Sequence, residues 1–170
     1  PFYFNGAGYV NKHRDALFLY EESSGKLTRV TKEAFSTGSA HLSPDGKQVL
    51  FTGQSYTVKR KNKSGVYVYD RETGRTTELL KPRAYDLYDA LWWGEKILLL
   101  ATDGKRYGLN ENAQFYTLNP ASGQVALLAP YEDALGSSVG SDCRLGGGRE
   151  WVQEGDKLYF VTTLGGASQV

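Results

Sequence analysis

The sequence predicts an all-β fold in which a four-stranded unit repeats along the chain. Two patterns support this: a turn glycine recurs at a fixed spacing, and short strand-like runs flank each turn. No window shows a sustained helical period with capping residues. Composition agrees, because 12 Tyr, 7 Phe and 3 Trp favour strands, and 20 Gly with only 5 Pro favour tight turns over a flexible linker.

The repeat is clearest in three segments that share one turn. These segments are 20–32, 69–81 and 118–130. Their turn residues Gly25, Gly74 and Gly123 are each 49 positions apart (74 − 25 and 123 − 74). A period of this length is typical of arrays in which each repeat is one supersecondary unit.

A second turn recurs between these segments. In Ser43–Gly46 the proline presets φ for the second position of a type I turn, and aspartate and glycine follow it. Lys47 and Lys96 keep the spacing of 49, whereas the next equivalent, Lys157, comes 61 positions later (157 − 96). The third unit therefore carries an insertion of about 12 residues (61 − 49), which we expect between Tyr131 and Arg149.

Short strands are expected on both sides of each turn. They lie near 16–20, 26–30, 38–43, 48–53, 66–70, 76–80, 87–93, 96–101, 114–118, 124–128, 150–153 and 157–163. Runs such as Val66–Tyr69 and Leu98–Ala101 are apolar throughout, which is typical of strands buried on both faces. The last unit is expected to contribute only two strands.

Four antiparallel strands repeated every 40 to 50 residues or so describe the blade of a β-propeller. We expect one partial propeller domain of about three blades, in four parts: half-blade 1–32, blade 33–81, blade 82–130 and half-blade 131–170. Closed propellers have about 4–8 blades, so the chain is expected to be a fragment of a larger one. Bare strand edges on the half-blades predict self-association.

Two stretches carry a resemblance to known propellers. Ser43–Lys47 is similar to the Trp-Ser-Pro-Asp-Gly-Lys turn of TolB-like and many other propellers, although His41 stands where Trp is usual. Pro1–Val10, followed by Arg14 and Leu17–Tyr20, is more specific. It resembles the propeller of bacterial acylaminoacyl-peptidases, in the prolyl oligopeptidase family of serine peptidases.

The resemblance implies a non-catalytic role for this chain. In that family the propeller precedes a separate α/β-hydrolase domain that holds the Ser-Asp-His triad. The expected function is to gate or position a peptide for that missing domain, so the expected partners are the domain and the peptide, in the cytoplasm. The alternative is a stand-alone TolB-like or WD40-like interaction module. A sugar-lyase-type propeller would need acidic and histidine metal ligands that the sequence does not indicate.

Candidate catalytic residues are few. Gly136–Gly140 matches G-x-S-x-G, but neither the preceding strand nor the following helix of a nucleophile elbow is predicted. His13 is expected in a solvated loop, and His41 is expected to be partly buried along the propeller channel. With Cys143 they show no ligand spacing, so we predict no metal, no cofactor and no catalytic residue.

Other conspicuous residues are expected to have structural roles. The basic run Lys59–Lys63 is predicted to be a solvated hairpin loop, and Gly146–Gly148 a flexible loop without a phosphate-binding fingerprint. Trp92 and Trp93 are expected to pack between blades rather than to bind ligand, and the same is expected of Trp151. A net charge of +1 and the lack of a long apolar run predict neither nucleic-acid nor membrane partners.

Blade geometry separates tight turns from long loops. The turns at Gly46, Gly74, Gly94, Gly123 and Gly155 are expected on one face. The other face, here called the loop face, is expected to carry 1–15, 31–37, 54–65, 82–86, 103–113 and 130–149. Because function concentrates in irregular loops on a rigid scaffold, the loop face is the predicted working face.

Overall fold

The computed structural model describes residues 13–57, 60–136 and 150–170, and in these it is all-β apart from one short 3-10 turn at Gly108–Asn110. The chain divides into two compact units, Pro1–Ala84 and Tyr85–Val170. The strands of the first unit are β1 (Phe18–Glu21), β2 (Lys26–Arg29), β3 (Phe35–Leu42), β4 (Gln48–Ser55), β5 (Gly65–Asp70) and β6 (Thr76–Leu80). Those of the second are β7 (Asp86–Trp93), β8 (Lys96–Thr102), β9 (Gln114–Leu118), β10 (Val125–Ala129), β11 (Ala134–Leu135), β12 (Trp151–Glu154), β13 (Lys157–Phe160), β14 (Thr162–Leu164) and β15 (Ala167–Gln169).

The first unit is built around an antiparallel sheet of order β3-β4-β5-β6, with β1 and β2 as a separate hairpin. The core of this sheet lies on its second and third strands, where Leu50 and Val66 are fully buried. Phe35, Phe51 and Tyr67 pack their rings together with centroids 5.1–5.8 Å apart. Long apolar and aromatic side chains therefore hold the sheet together, as the apolar runs predict.

The second unit repeats the sheet with β7-β8-β9-β10 and adds the hairpin β12-β13 and a three-stranded sheet of order β11-β14-β15. Ile97, Leu99 and Leu118 are fully buried. A second cluster contains Leu98, Leu100, Ala113 and Phe115, and partly buried side chains pack against it, including Trp93, Trp151 and Phe160. Trp93 and Trp151 thus pack within the second unit, while the packing between blades that the sequence predicts for them stays a prediction.

A strand is present at each of the twelve predicted places, but the last predicted strand is in fact two strands. The run expected to be one strand over 157–163 is interrupted at Val161, and its two parts pair in different sheets. The backbone of Val161 explains the break, because its N–H donates to Glu150 and its carbonyl accepts from Gly136. The prediction of only two strands at this end was therefore wrong: β11 and β15 are short and lack an apolar run.

The repeated turns have the geometry that their residues predict. In the Ser43–Gly46 turn, the Gly46 N–H donates to the Ser43 carbonyl at 2.8 Å. At the other turn, the carbonyls of Asp70 and Asn119 accept from the N–H groups of Gly74 and Gly123 at 2.9 and 2.8 Å. Both glycines have left-handed backbone, with φ of 68° and 70°. Glycine adopts this conformation without the steric cost that a Cβ imposes.

Candidate functional site

A cavity of about 340 Å³ lies in the second unit, among loops that the sequence assigns to the loop face. It is lined by Tyr88, Leu100, Leu109, Asn110, Glu111, Asn112, Ala113, Ala134, Leu135, Glu150 and Trp151. The lining thus combines apolar and aromatic side chains with two carboxylates and two amides. A concave, mainly apolar surface with a few convergent polar groups is the usual form of a ligand site.

An irregularity in β7 brings Tyr88 to this cavity. The pairing of β7 with β8 shifts between Leu87 and Asp89, so Tyr88 is the extra residue of a β-bulge. Bulges re-aim side chains and are frequent beside functional sites. Tyr88 is 54% exposed, while Leu87 and Asp89 on either side of it are buried.

Glu111 anchors the loop between β8 and β9. Its side chain is only 7% exposed. One carboxylate oxygen accepts from the Thr102 hydroxyl at 2.7 Å, and the other accepts from the backbone N–H groups of Arg106 and Tyr107 at 2.8 and 3.0 Å. The hydrogen bond from Thr102, followed by those from the backbone, lowers the pKa of Glu111. The carboxylate is therefore held in its charged form although it is buried.

Trp151 is fixed by a buried acid. Its indole Nε1–H donates to Oδ2 of Asp89 at 2.9 Å, and Oδ1 of the same carboxylate accepts from the Ala90 N–H at 2.8 Å. Asp89 is 5% exposed. Because this hydrogen bond lies in a buried part of the structure, it holds the indole in one orientation at the wall of the cavity.

Glu150 lies where the chain re-enters the second unit. Its carboxylate packs against Gly136, so close that a Cβ on Gly136 would stand 2.7 Å from Oε1. Gly136 also has φ of 83°, a conformation that favours glycine. The glycine thus makes room for the carboxylate at the cavity rim.

The loops on two sides of the cavity are joined to each other. The Asn112 side-chain amide donates to the Glu132 carbonyl at 2.8 Å, and Arg106 forms an ion pair with the Glu132 carboxylate. That hydrogen-bonded pair raises the pKa of Arg106. Non-covalent contacts therefore connect loop 103–113 to the segment after β10, and these contacts stabilise the cavity walls.

The residues singled out by the sequence lie elsewhere. His13 is exposed as expected, and His41 is half-buried on β3 in the first unit. In the basic run, Arg60 and Lys61 are exposed, and the buried Gln54 side chain bonds both the N–H and the carbonyl of Lys61. Ser137–Gly140, Cys143, Gly146–Gly148, Lys59 and Pro1–Val10 lie outside the described residues.

The sequence assigns the loops around the cavity to one face but does not single out the polar residues of the cavity. Glu111 and Glu150 stand in predicted loops, where an acidic side chain ordinarily indicates solvation. A weak signal was present, because the tripeptide Asn110–Asn112 is wholly polar and comes directly before a buried strand. In the described part of the chain, no group of three His, Cys, Asp or Glu side chains could hold a metal ion. Nor is any helix there long and apolar enough to cross a membrane.

Comparison with solved structures shows that the fold is a β-propeller. TolB from Acinetobacter baumannii superposes with a TM-score of 0.58 at 19% identity, over 93% of this chain and 34% of that chain. An oligogalacturonate lyase in complex with manganese has a TM-score of 0.58 at 20% identity, over 89% of this chain and 39% of that chain.

A peptidase also matches in fold. Porphyromonas gingivalis dipeptidyl peptidase 4 has a TM-score of 0.50 at 11% identity, over 72% of this chain and 24% of that chain. The chain spans 24–39% of the length of these three proteins. No protein-family model and no curated protein matches the sequence.

Proposed function

We propose that this chain is the non-catalytic propeller segment of a prolyl oligopeptidase-family serine peptidase, similar to acylaminoacyl-peptidases. Its loop face would position a peptide for a hydrolase domain carried elsewhere on the same polypeptide. The observation that carries this proposal is the cavity in the second unit. It lies among loops on a rigid four-stranded sheet, where binding residues are usually found.

The lining of the cavity suits part of a peptide. The side-chain amides of Asn110 and Asn112 offer hydrogen-bonding groups for a peptide backbone, and Tyr88 and Trp151 offer aromatic surface. A volume of about 340 Å³ is at the lower end of the range for ligand sites, so it fits one or two residues rather than a whole peptide. In this role the chain binds and orients, and the covalent chemistry belongs to the other domain.

The second candidate is a stand-alone TolB-like interaction module. It is favoured by the breadth of the TolB superposition, which takes in 93% of this chain. At 19% identity that likeness is one of fold, which both candidates share.

The complete reading frame distinguishes the two. A Gly-x-Ser-x-Gly sequence on a strand–turn–helix after residue 170, followed by Asp and His, is expected for the peptidase. The encoded protein should then hydrolyse acylated peptides and lose activity with a serine-directed inhibitor. A stop codon after further blades, with no hydrolysis, would favour the interaction module.

The role of the cavity is tested in the same protein with Trp151→Ala. We expect KM for peptides of several residues to rise about tenfold or more, with little change for a short ester that does not reach the propeller. Equal effects on both substrates would contradict a positioning role.

A further inference from the structure

We propose that the cavity receives a cationic side chain, the ammonium of lysine or the guanidinium of arginine, from the bound peptide. This inference rests on the proposed peptide-positioning function and names the class of peptide that the site prefers. It follows from the charges that line the cavity, from the fixed aromatic wall and from the position of Glu150.

The described charged residues of the lining are all acidic. Among the lining residues that the structure describes, the charged ones are two glutamates, Glu111 and Glu150, and none is a lysine or arginine. The nearby cation Arg106 directs its guanidinium to Glu132 instead. A pocket with low-dielectric walls and one sign of charge focuses its field on ligands of the opposite sign.

The two carboxylates have different roles. Glu111 already accepts from the Thr102 hydroxyl and from two backbone N–H groups, so it contributes a fixed negative charge to the cavity. Glu150 stands at the rim against Gly136, where no Cβ restricts its approach. We therefore assign direct contact with the cation to Glu150.

The aromatic wall suits the rest of a basic side chain. Lysine and arginine bury their methylene stems along apolar surface while the charged end stays with a polar partner. Trp151 and Tyr88 offer such a surface, and the face of an indole or phenol ring attracts a cation within about 6 Å. The Asp89 carboxylate accepts a hydrogen bond from the indole N–H of Trp151 at 2.9 Å, which keeps this ring in place.

The test compares peptides that differ at one residue. The protein from the complete reading frame is first treated with a serine-directed inhibitor, so that binding is measured without cleavage. Binding is then measured by calorimetry with sets of four peptides that differ at one position, which holds lysine, norleucine, acetyl-lysine or glutamate. Each set varies a different position of the peptide. We expect one position at which lysine binds about tenfold more tightly than norleucine or acetyl-lysine.

Variants assign that preference to the cavity. Glu150→Gln removes the charge at nearly constant shape and should reduce the lysine preference to about twofold or less, whereas Glu150→Asp should retain part of it. Glu95→Gln is the matched control, because Glu95 is an exposed carboxylate in the turn between β7 and β8, away from the cavity lining. It should leave the preference unchanged.

The outcomes separate the two proposals. If all four peptides bind with equal affinity, or if Glu150→Gln leaves the lysine preference intact, the cationic site is wrong and peptide positioning stands. If no peptide binds but a neutral oligosaccharide does, the proposed function fails together with this inference. If high salt weakens binding of the lysine peptide but not of the norleucine peptide, this result supports the cationic site, because salt screens charge pairs.

Discussion

The two four-stranded sheets, over Phe35–Leu80 and Asp86–Ala129, hold their long loops in different ways. In the first sheet, the neutral Gln54 amide bonds the N–H and the carbonyl of one loop residue, Lys61. In the second, the charged Glu111 accepts three hydrogen bonds from its own loop and from β8. A common scaffold thus carries loops with different chemistry, and the loop that Glu111 anchors borders the cavity.

Equivalent positions 49 residues apart show where the difference begins. Phe51 is 2% exposed and stacks on Tyr67, whereas its counterpart Leu100 lines the cavity. Gly53 lies against the Phe35 ring, whereas its counterpart Thr102 donates its hydroxyl to Glu111. These counterpart positions therefore differ in side-chain size and polarity: Phe51 belongs to an aromatic cluster in the first sheet, and Leu100 lines the cavity in the second.

The largest effect is expected from truncating the two counterpart core residues. Phe51→Ala should lower the free energy of unfolding by about 3–5 kcal/mol, because it leaves a void between two rings. Leu100→Ala should cost about 2 kcal/mol, since one side of Leu100 already faces the cavity. Urea denaturation of both variants measures this, and equal losses would contradict the difference in packing.

The next effect comes from exchanging the two loop anchors. Glu111→Gln turns one acceptor oxygen into a donor facing N–H groups, and Gln54→Glu puts an acceptor against the Lys61 carbonyl. Each should cost about 1–3 kcal/mol of unfolding free energy, because a buried polar partner is left unsatisfied. Glu95→Gln, at an exposed side chain in the turn between β7 and β8, is a suitable control. A neutral result at either anchor would mean that these bonds do not hold the loop.

A smaller, graded effect is expected with pH. The pKa of Glu111 is lowered in the folded state, mainly by the Thr102 hydrogen bond. Its contribution to stability is therefore complete above the ordinary glutamate pKa of about 4.3 and is lost as pH falls through the lowered value. Hydrogen-exchange protection of the Arg106 and Tyr107 amides should fall in that acidic range, while that of the Lys61 amide, held by neutral Gln54, should not. Glu111→Gln should abolish the pH dependence.

The smallest effect is expected at the repeated turns. Gly74→Ala should cost about 1 kcal/mol of unfolding free energy, because alanine is strained at a φ of 68°. Gly74→Asn should cost less, since asparagine tolerates left-handed backbone. The same two substitutions at Gly123, which has φ of 70° in the other sheet, should cost similar amounts of unfolding free energy. Thermal denaturation checks this, and a large difference between the two glycines would show that the turns are not equivalent.

Most of the fold could be predicted because it depends on local patterns. Apolar runs such as Leu98–Ala101 predict strands buried on both faces, and glycines after a short polar stretch predict left-handed turns. The two missing strands, β11 and β15, depend on pairing with β14, and they contain no run long enough to indicate a strand. The break at Val161 likewise comes from backbone hydrogen bonds to Glu150 and Gly136, which precede it by 11 and 25 positions (161 − 150 and 161 − 136). A local pattern of residues does not reveal such partners.

The sequence predicts a working face of loops, but it predicts neither this cavity nor the residues that line it. The break in the period after residue 130 and the long loop 103–113 indicate the loop face, but nothing local distinguishes Glu111 from a solvated loop acid. Trp151 packs within the second unit and also lines the cavity. Its orientation depends on Asp89, 62 residues earlier in the chain.

The sequence by itself determined the all-β class, most of the strands and the turns, because strand period and turn chemistry act over a few neighbouring residues. Only the tertiary structure decided which carboxylates are buried and bonded, which face the cavity, and which residue the bulge at Tyr88 turns outward. These properties depend on the partners that pairing and packing bring together. Residues such as Asp89 and Trp151 become a site only when the strands that carry them meet.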